Sequence, residues 1–407
     1  MRTRWRTAAF GVLLAALLVG TAACGSAPAA KSEAGTTSEA AKAPIRIGFV
    51  VSQTGNAGSL GQPEANTVEL YKDQLSEIDG HPVEWLVVDD GSDPTQAVVA
   101  VKRLIEEDKV AAVVCCTISP SAAAIVDTVQ SAQLPGISLA ASAAVVTPAS
   151  AHRWMFKTPQ NDALMIDILT DYMASHGVKK LAFIGFDDDY GQGGKKALES
   201  IAPSKGITIV DEESFKRTDT DATPQVTKMA AAKPDAFIIW AIPPGADVAE
   251  KNIKDLGLTQ PVYQSHGVAN ANFIQLGGAA VEGTILPAGK LLVAAQLPDS
   301  DPQKAVLLKY KETYEAKYGA GTANTFGGHA YDAMYILAAA IDRALKAGAD
   351  PADLPAFRAA LRDAIEATHD FVGISGIFNY SPDDHHGLDH RAATVVTIQG
   401  GTWTLAP

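Results

Sequence analysis

The sequence predicts an α/β protein of two doubly wound lobes, and three observations carry that expectation. Short apolar runs alternate with stretches whose apolar residues recur at helical spacing, the mark of parallel sheets wound by helices on both faces. The alternation starts again near residue 160. At 407 residues the chain is also too long for one ordinary core.

The first 23 residues stand apart from this pattern. Arg2, Arg4 and Arg6 precede the apolar run A-A-F-G-V-L-L-A-A-L-L-V-G, which has the length of a signal peptide and is short for a bilayer span. The run ends in T-A-A-C-G-S, so Cys24 sits where a lipobox carries its acylated cysteine, although Thr21 replaces the usual leucine. Ordinary signal-peptidase cleavage is the alternative. Residues 24–44 are small and polar, as a tether would be. Export, with a lipid anchor on the outer face of a membrane, is the expected destination.

Next come the strand I-R-I-G-F-V-V, a helix through P-E-A-N-T-V-E-L-Y-K-D-Q-L, the strand V-E-W-L-V-V-D-D and the helix T-Q-A-V-V-A-V-K-R-L-I-E-E-D. The strands V-A-A-V-V-C-C and P-G-I-S-L-A enclose S-A-A-A-I-V-D-T-V-Q-S-A, a helix. The second half reads L-A-F-I-G-F-D, G-Q-G-G-K-K-A-L-E-S-I-A, I-T-I-V-D-E-E, A-F-I-I-W-A and P-V-Y-Q-S-H, of which only the second is helical. A long helix, T-F-G-G-H-A-Y-D-A-M-Y-I-L-A-A-A-I-D-R-A-L, and a closing hairpin at Gly400-Gly401 complete the series.

Composition narrows the function. A chain with 47% hydrophobic and 19% charged residues belongs to the globular class. Losing the three leader arginines takes the formal charge from −13 to −16, which repels phosphate backbones and argues against nucleic acid as a partner. Cys115 and Cys116 are adjacent in an apolar run, so buried free thiols are preferred over a vicinal disulfide. No zinc spacing and no C-x-x-C occurs, and no cofactor is expected.

Several stretches coincide, in order, with one family. D-D-G-S-D-P-T-Q-A-V, the S-x-S pair at 119–121, I-S-L-A-A-S-A, F-D-D-D-Y-G-Q-G, S-H-G-V-A-N and G-G-H-A-Y-D-A resemble the leucine/isoleucine/valine-type extracytoplasmic binding proteins of ABC importers. The likeness runs over residues 45–407. It implies two lobes joined by three crossovers, one of 45–159 plus 288–368 and the other of 160–287 plus 369–407. It also implies a ligand trapped between closing lobes, membrane permease subunits as partners, a monomer, and no catalysis.

The resemblance assigns residues to the ligand. Ser119 matches the family's carboxylate-binding serine, and Ser121 opens a helix whose N-terminus favours an anion; plain N-capping is the simpler role for both. Ala140 and Ser142 form a second strand-end match. Tyr190 aligns with a ligand-stacking tyrosine, with a half-buried aromatic beside a helix start as the simpler role; Phe326 corresponds to a pocket-wall aromatic or belongs to the core; Trp240 lies near a position often aromatic. Ile242 and Leu60 replace aromatics, so the side-chain pocket is reshaped.

His266 departs furthest. The family keeps there a glutamate that pairs with the ligand's α-ammonium, and imidazole cannot supply that charge. The expected ligand is therefore a small carboxylate without an α-amine, an aromatic or other organic acid. Branched-chain or other hydrophobic amino acids are the alternative, with Asp188 or Asp189 taking over the ammonium.

Signals for other chemistry are thin. G-N-A-G-S-L-G has the spacing G-x-x-G-x-x-G, not that of a dinucleotide loop, and G-I-S-G lacks the frame of a nucleophile elbow. S-P-D-D-H-H-G-L-D-H reads as a solvated turn before it reads as a metal site. A ligand-sensing receptor and a secreted enzyme on the same scaffold stay open beside the importer reading.

Overall fold

The computed structural model describes residues 42–407; the leader, Cys24 and the tether through residue 41 lie outside them. The described chain begins with β1 (Ile45–Val51), α1 (Gly58–Tyr71), β2 (Glu77–Ile78), β3 (His81–Asp89) and α2 (Pro94–Glu106). It continues through β4 (Ala112–Cys115), α3 (Ser119–Ser131), β5 (Gly136–Ser138) and β6 (Met155–Lys157). These strands make one sheet in the order β2-β3-β1-β4-β5-β6, parallel except where β2 pairs with β3. All of β4 and nearly all of β1 are buried, which is why they read as unbroken apolar runs and not as alternations.

The chain then crosses to a second sheet. It contributes α4 (Asp162–Ser175), β7 (Lys180–Phe186), α5 (Asp189–Ile201), β8 (Thr208–Phe215) and α6 (Thr223–Ala231), then β9 (Ala236–Trp240), α7 (Gly245–Asp255), β10 (Val262–Gln264), α8 (Ala271–Gly277) and β11 (Ile285–Gly289). Three helices return to the first sheet: α9 (Lys304–Tyr318), α10 (Thr325–Lys346) and α11 (Leu354–Glu366). Tyr310 of α9 and Tyr331 of α10 pack on Tyr71 of α1 with centroids 6.2 and 5.0 Å away, and Arg358 of α11 donates to the Val110 carbonyl. After the short pair β12 (Phe371–Val372) and β13 (Ile377–Phe378), the strands β14 (Ala393–Gln399) and β15 (Thr402–Leu405) close the second sheet. Its order is β15-β14-β11-β10-β9-β7-β8, with β14 and β15 antiparallel. The chain thus passes between sheets three times, after β6, β11 and α11. The hairpin turn falls on Gly400 and Gly401, whose φ of 60° and 72° only glycine adopts freely.

Strand order reverses between β1 and β4 in the first sheet and between β7 and β9 in the second. In open parallel sheets such reversals leave a crevice beyond the carboxyl ends of the strands, and ligands bind there. Each sheet offers one, and the loops after those strands carry the residues described below.

Two local expectations are corrected. Cys115 and Cys116 are joined as a vicinal disulfide, not free thiols: the peptide between them is cis and their Cα atoms stand 3.1 Å apart. The S-P-D-D-H-H-G segment is only partly solvated. His385 and His386 are buried, His385 reaching the Met155 carbonyl at 2.8 Å and Glu366 at 3.1 Å, and His386 meeting Asn161 at 3.1 Å. The polar local sequence hid this, because the partners come from distant elements. His385 thus meets the single carboxylate of Glu366, while the exposed His390 lies near two, those of Asp167 and Asp171, and Lys205 already bridges that pair at 2.9 and 2.6 Å.

Candidate functional site: a cleft between two strand-end walls

The cleft has an empty volume of about 380 Å³ including its open mouth. Leu60, Thr117, Ile118, Ser119, Leu139 and Ala141 line it from loops and helix starts after β1, β4 and β5. Tyr190, Arg217, Ile242, His266 and Gly267 line it from loops and helix starts after β7, β8, β9 and β10. Pro159, Phe326 and His329 complete the lining where the chain crosses and where α10 begins.

The first wall is built around the start of α3. Ser119 Oγ accepts the Ser142 N–H at 3.3 Å, so its own proton is free to donate. The backbone amides of Ser119 and Ser121 lie in the first helical turn, where no carbonyl of the helix can reach them, and Ile118 supplies no side-chain cap. A helix N-terminus with spare amides and a hydroxyl donor holds a carboxylate. Below it, Thr117 is committed: its hydroxyl donates to Glu64 at 2.5 Å and accepts from Ser52 N–H at 2.9 Å. Burial holds the Glu64 carboxyl well above the usual carboxylate range, which favours its uncharged form.

The second wall is made of side chains. Tyr190 Oη accepts the Gly267 N–H at 3.1 Å, and its ring stands edge-on to His266 at 6.0 Å. A Cβ on Gly267 would fall 2.6 Å from that Oη and 2.9 Å from Ile242, so only glycine lets the tyrosine seat there. His266 is 6% exposed, and neither ring nitrogen has a partner among the described residues. Burial first, and the charge of Lys157 second, push its imidazole down to about 3. The ring is therefore neutral, with one donor and one acceptor to offer. His329 is likewise pushed down to about 3 by burial, and its Nδ1 is 2.7 Å from Ser375 Oγ.

Behind the cleft lies a buried charge pair. Lys157, fully buried at the end of β6, donates to the Ala141 carbonyl at 2.5 Å. Asp162, which opens α4, accepts from the Trp240 indole at 3.1 Å. Burial lowers the lysine and raises the aspartic acid, while each charge opposes the other's shift. The pair ties the crossing segment to both walls, since Ala141 belongs to one and Trp240 ends a strand of the other.

The structure brings six of the anticipated ligand residues together on the cleft: Leu60, Ser119, Tyr190, Ile242, His266 and Phe326. The other four lie off the lining. Ser121 is fully buried beside Asp90, Trp240 is spent on Asp162, Ser142 offers its backbone to Ser119, and the wall at that strand end is Ala141 instead of Ala140. Asp188 and Asp189 do not line the cleft either, and no aspartate or glutamate among the described residues does. Sequence reasoning missed Arg217 and His329. His329 stood inside a quoted motif, G-G-H-A-Y; Arg217, in the loop K-R-T-D, carried no motif at all.

Comparison with known proteins agrees with this architecture. Residues 44–402 match the family described as periplasmic binding protein, and the chain belongs to that family. Among solved structures it is similar to an extracellular ligand-binding receptor from Rhodopseudomonas palustris HaA2, with 36% identity, 90% of this chain and 100% of that one covered, and a TM-score of 0.85. The Leu/Ile/Val-binding protein homolog 3 of Brucella melitensis is 24% identical over 310 residues, 75% of this chain and 80% of that protein. A leucine-, isoleucine-, valine-, threonine- and alanine-binding protein of Pseudomonas aeruginosa is 23% identical, covering 74% of this chain and 78% of that one. None of these names mentions an aromatic acid.

Proposed function

We propose that this chain is the exported solute-binding component of an ABC importer, holding a small carboxylate between its two walls and presenting it, as a monomer and without turnover, to membrane permease subunits. The observation that carries the reading is the start of α3: a free serine proton and spare amides opening on a cleft shared by both sheets. Names of relatives support hydrophobic amino acids as the cargo. The lining supports a second choice, an acid without an α-amine. A buried ammonium needs a negative or strongly accepting partner, the cleft offers no carboxylate among the described residues, and Arg217 adds a positive charge.

Isothermal titration with leucine, valine and the corresponding amine-free acids tests both levels. One ligand bound per chain, with closure seen as a smaller radius of gyration in X-ray scattering, is the expected result. No binding by either class, or steady release of a chemically altered product, would end the importer reading.

A further inference from the structure

Arg217 is the cleft's cation, and its surroundings define what a ligand must bring to it. The residue follows β8, and its side chain is 13% exposed. Its Nε donates to Asp188 Oδ2 at 2.5 Å, and its guanidinium lies 4.6 Å from the centre of the Phe186 ring. Asp188 cannot serve the other side of the fork, because its Oδ1 caps α5 by accepting from Tyr190 N–H at 2.9 Å and Gly191 N–H at 3.3 Å. Nη1 is left buried with no hydrogen-bond partner among the described residues.

A buried guanidinium N–H without a partner is costly, and a planar fork matches a carboxylate or another oxygen acceptor. The fork is also held in place before any ligand arrives, by the ion pair on one side and the aromatic ring beneath. We infer that Arg217 is a specificity-determining ligand residue, and that the solute carries, besides the carboxylate held at the start of α3, a second oxygen acceptor — carboxylate, carbonyl or hydroxyl — which Arg217 binds. A plain branched-chain amino acid has no such oxygen. It would leave Nη1 unpaired and bring a second cation into the cleft.

The inference rests on the carboxylate-capture reading and sharpens the choice of cargo within it. Its test is titration of the full mature chain with pentanoate, 4-oxopentanoate and glutarate, with benzoate and 4-hydroxybenzoate, and with leucine. Wild-type protein is expected to bind the acids with a distal oxygen about 10- to 100-fold tighter than their plain counterparts, the range of a charge-assisted hydrogen bond. Arg217→Gln should abolish that preference, weakening the acids with a distal oxygen about tenfold or more beyond its effect on their plain counterparts, and Arg217→Lys, which keeps the charge but not the fork, should retain part of it. Melting temperatures of both variants report folding, and if the glutamine variant fails to fold, the lysine variant decides. An equal preference in wild type and variants would overturn the inference. So would tight leucine binding unaffected by Arg217→Gln, which leaves carboxylate capture standing. Silence toward every acid and leucine would remove both.

Discussion

The two walls of the cleft are built on different principles. The wall from the first sheet presents a helix start, one serine hydroxyl and small apolar side chains, while its own acids, Glu64 and Asp90, are buried below the surface. The wall from the second sheet presents large or polar side chains, Tyr190, Arg217, Ile242 and His266, of which Tyr190, Arg217 and His266 are held by a hydrogen bond or a ring contact. Backbone amides recognise a carboxylate whatever is attached to it. Side chains read what is attached. On the proposed function the first wall would confer capture and the second choice, so changes to the two should have distinguishable signatures.

The largest effect is expected from disturbing the seat of the second wall. Gly267→Ala places a methyl against Tyr190 Oη and 3.0 Å from the Ala241 carbonyl, so the tyrosine must move. Affinity should fall about 100-fold and stability by about 1–3 kcal/mol, measured by titration and chemical denaturation. Ser119→Ala removes the free donor of the first wall. A lost hydrogen bond to a charged group corresponds to about 2 kcal/mol, or about 30-fold in affinity, with melting little changed.

Acid sensitivity separates the walls next. The unfolded imidazole of His266 titrates near 6.5, whereas the folded one stays neutral down to about 3. Its contribution to stability is thus complete above pH 6.5 and is lost as pH falls toward 3, by about 2 kcal/mol at pH 5. Denaturation of His266→Gln at pH 7 and pH 5 should show that part of the loss removed. The charged and titratable groups about the ring are Lys157, Arg217, Tyr190 and His329. Smallest is the effect of the support behind the cleft. Trp240→Phe takes the indole donor from Asp162 and should cost about 1 kcal/mol of stability, with affinity changed only a few-fold.

The legibility of the molecule in its sequence divides along the same line. Strand–helix alternation, the restart and the Gly400-Gly401 hairpin are local patterns, and all three appear in the fold. The α3 end of the cleft was legible because Ser119 follows a strand by a short loop and opens a helix. What stayed hidden depends on distant partners. Ser121 looked like the twin of Ser119, yet two residues along a helix turn a side chain to another face, here toward Asp90. Trp240 ended an apolar run in the expected place but is drawn inward by an aspartate 78 positions earlier. Arg217 was one basic residue among many until the fold set it beside Asp188, 29 positions away, and on the cleft wall.

The most direct test of the division between capture and choice is the affinity ratio of leucine to 4-methylpentanoate, which is leucine without its amine, in wild type, Ser119→Ala and His266→Glu. Titration should show Ser119→Ala weakening both ligands alike and leaving the ratio where it was. His266→Glu, which restores a negative partner for an ammonium, should shift the ratio toward leucine by about tenfold or more. A ratio that moves with Ser119→Ala and stays fixed with His266→Glu would contradict the account.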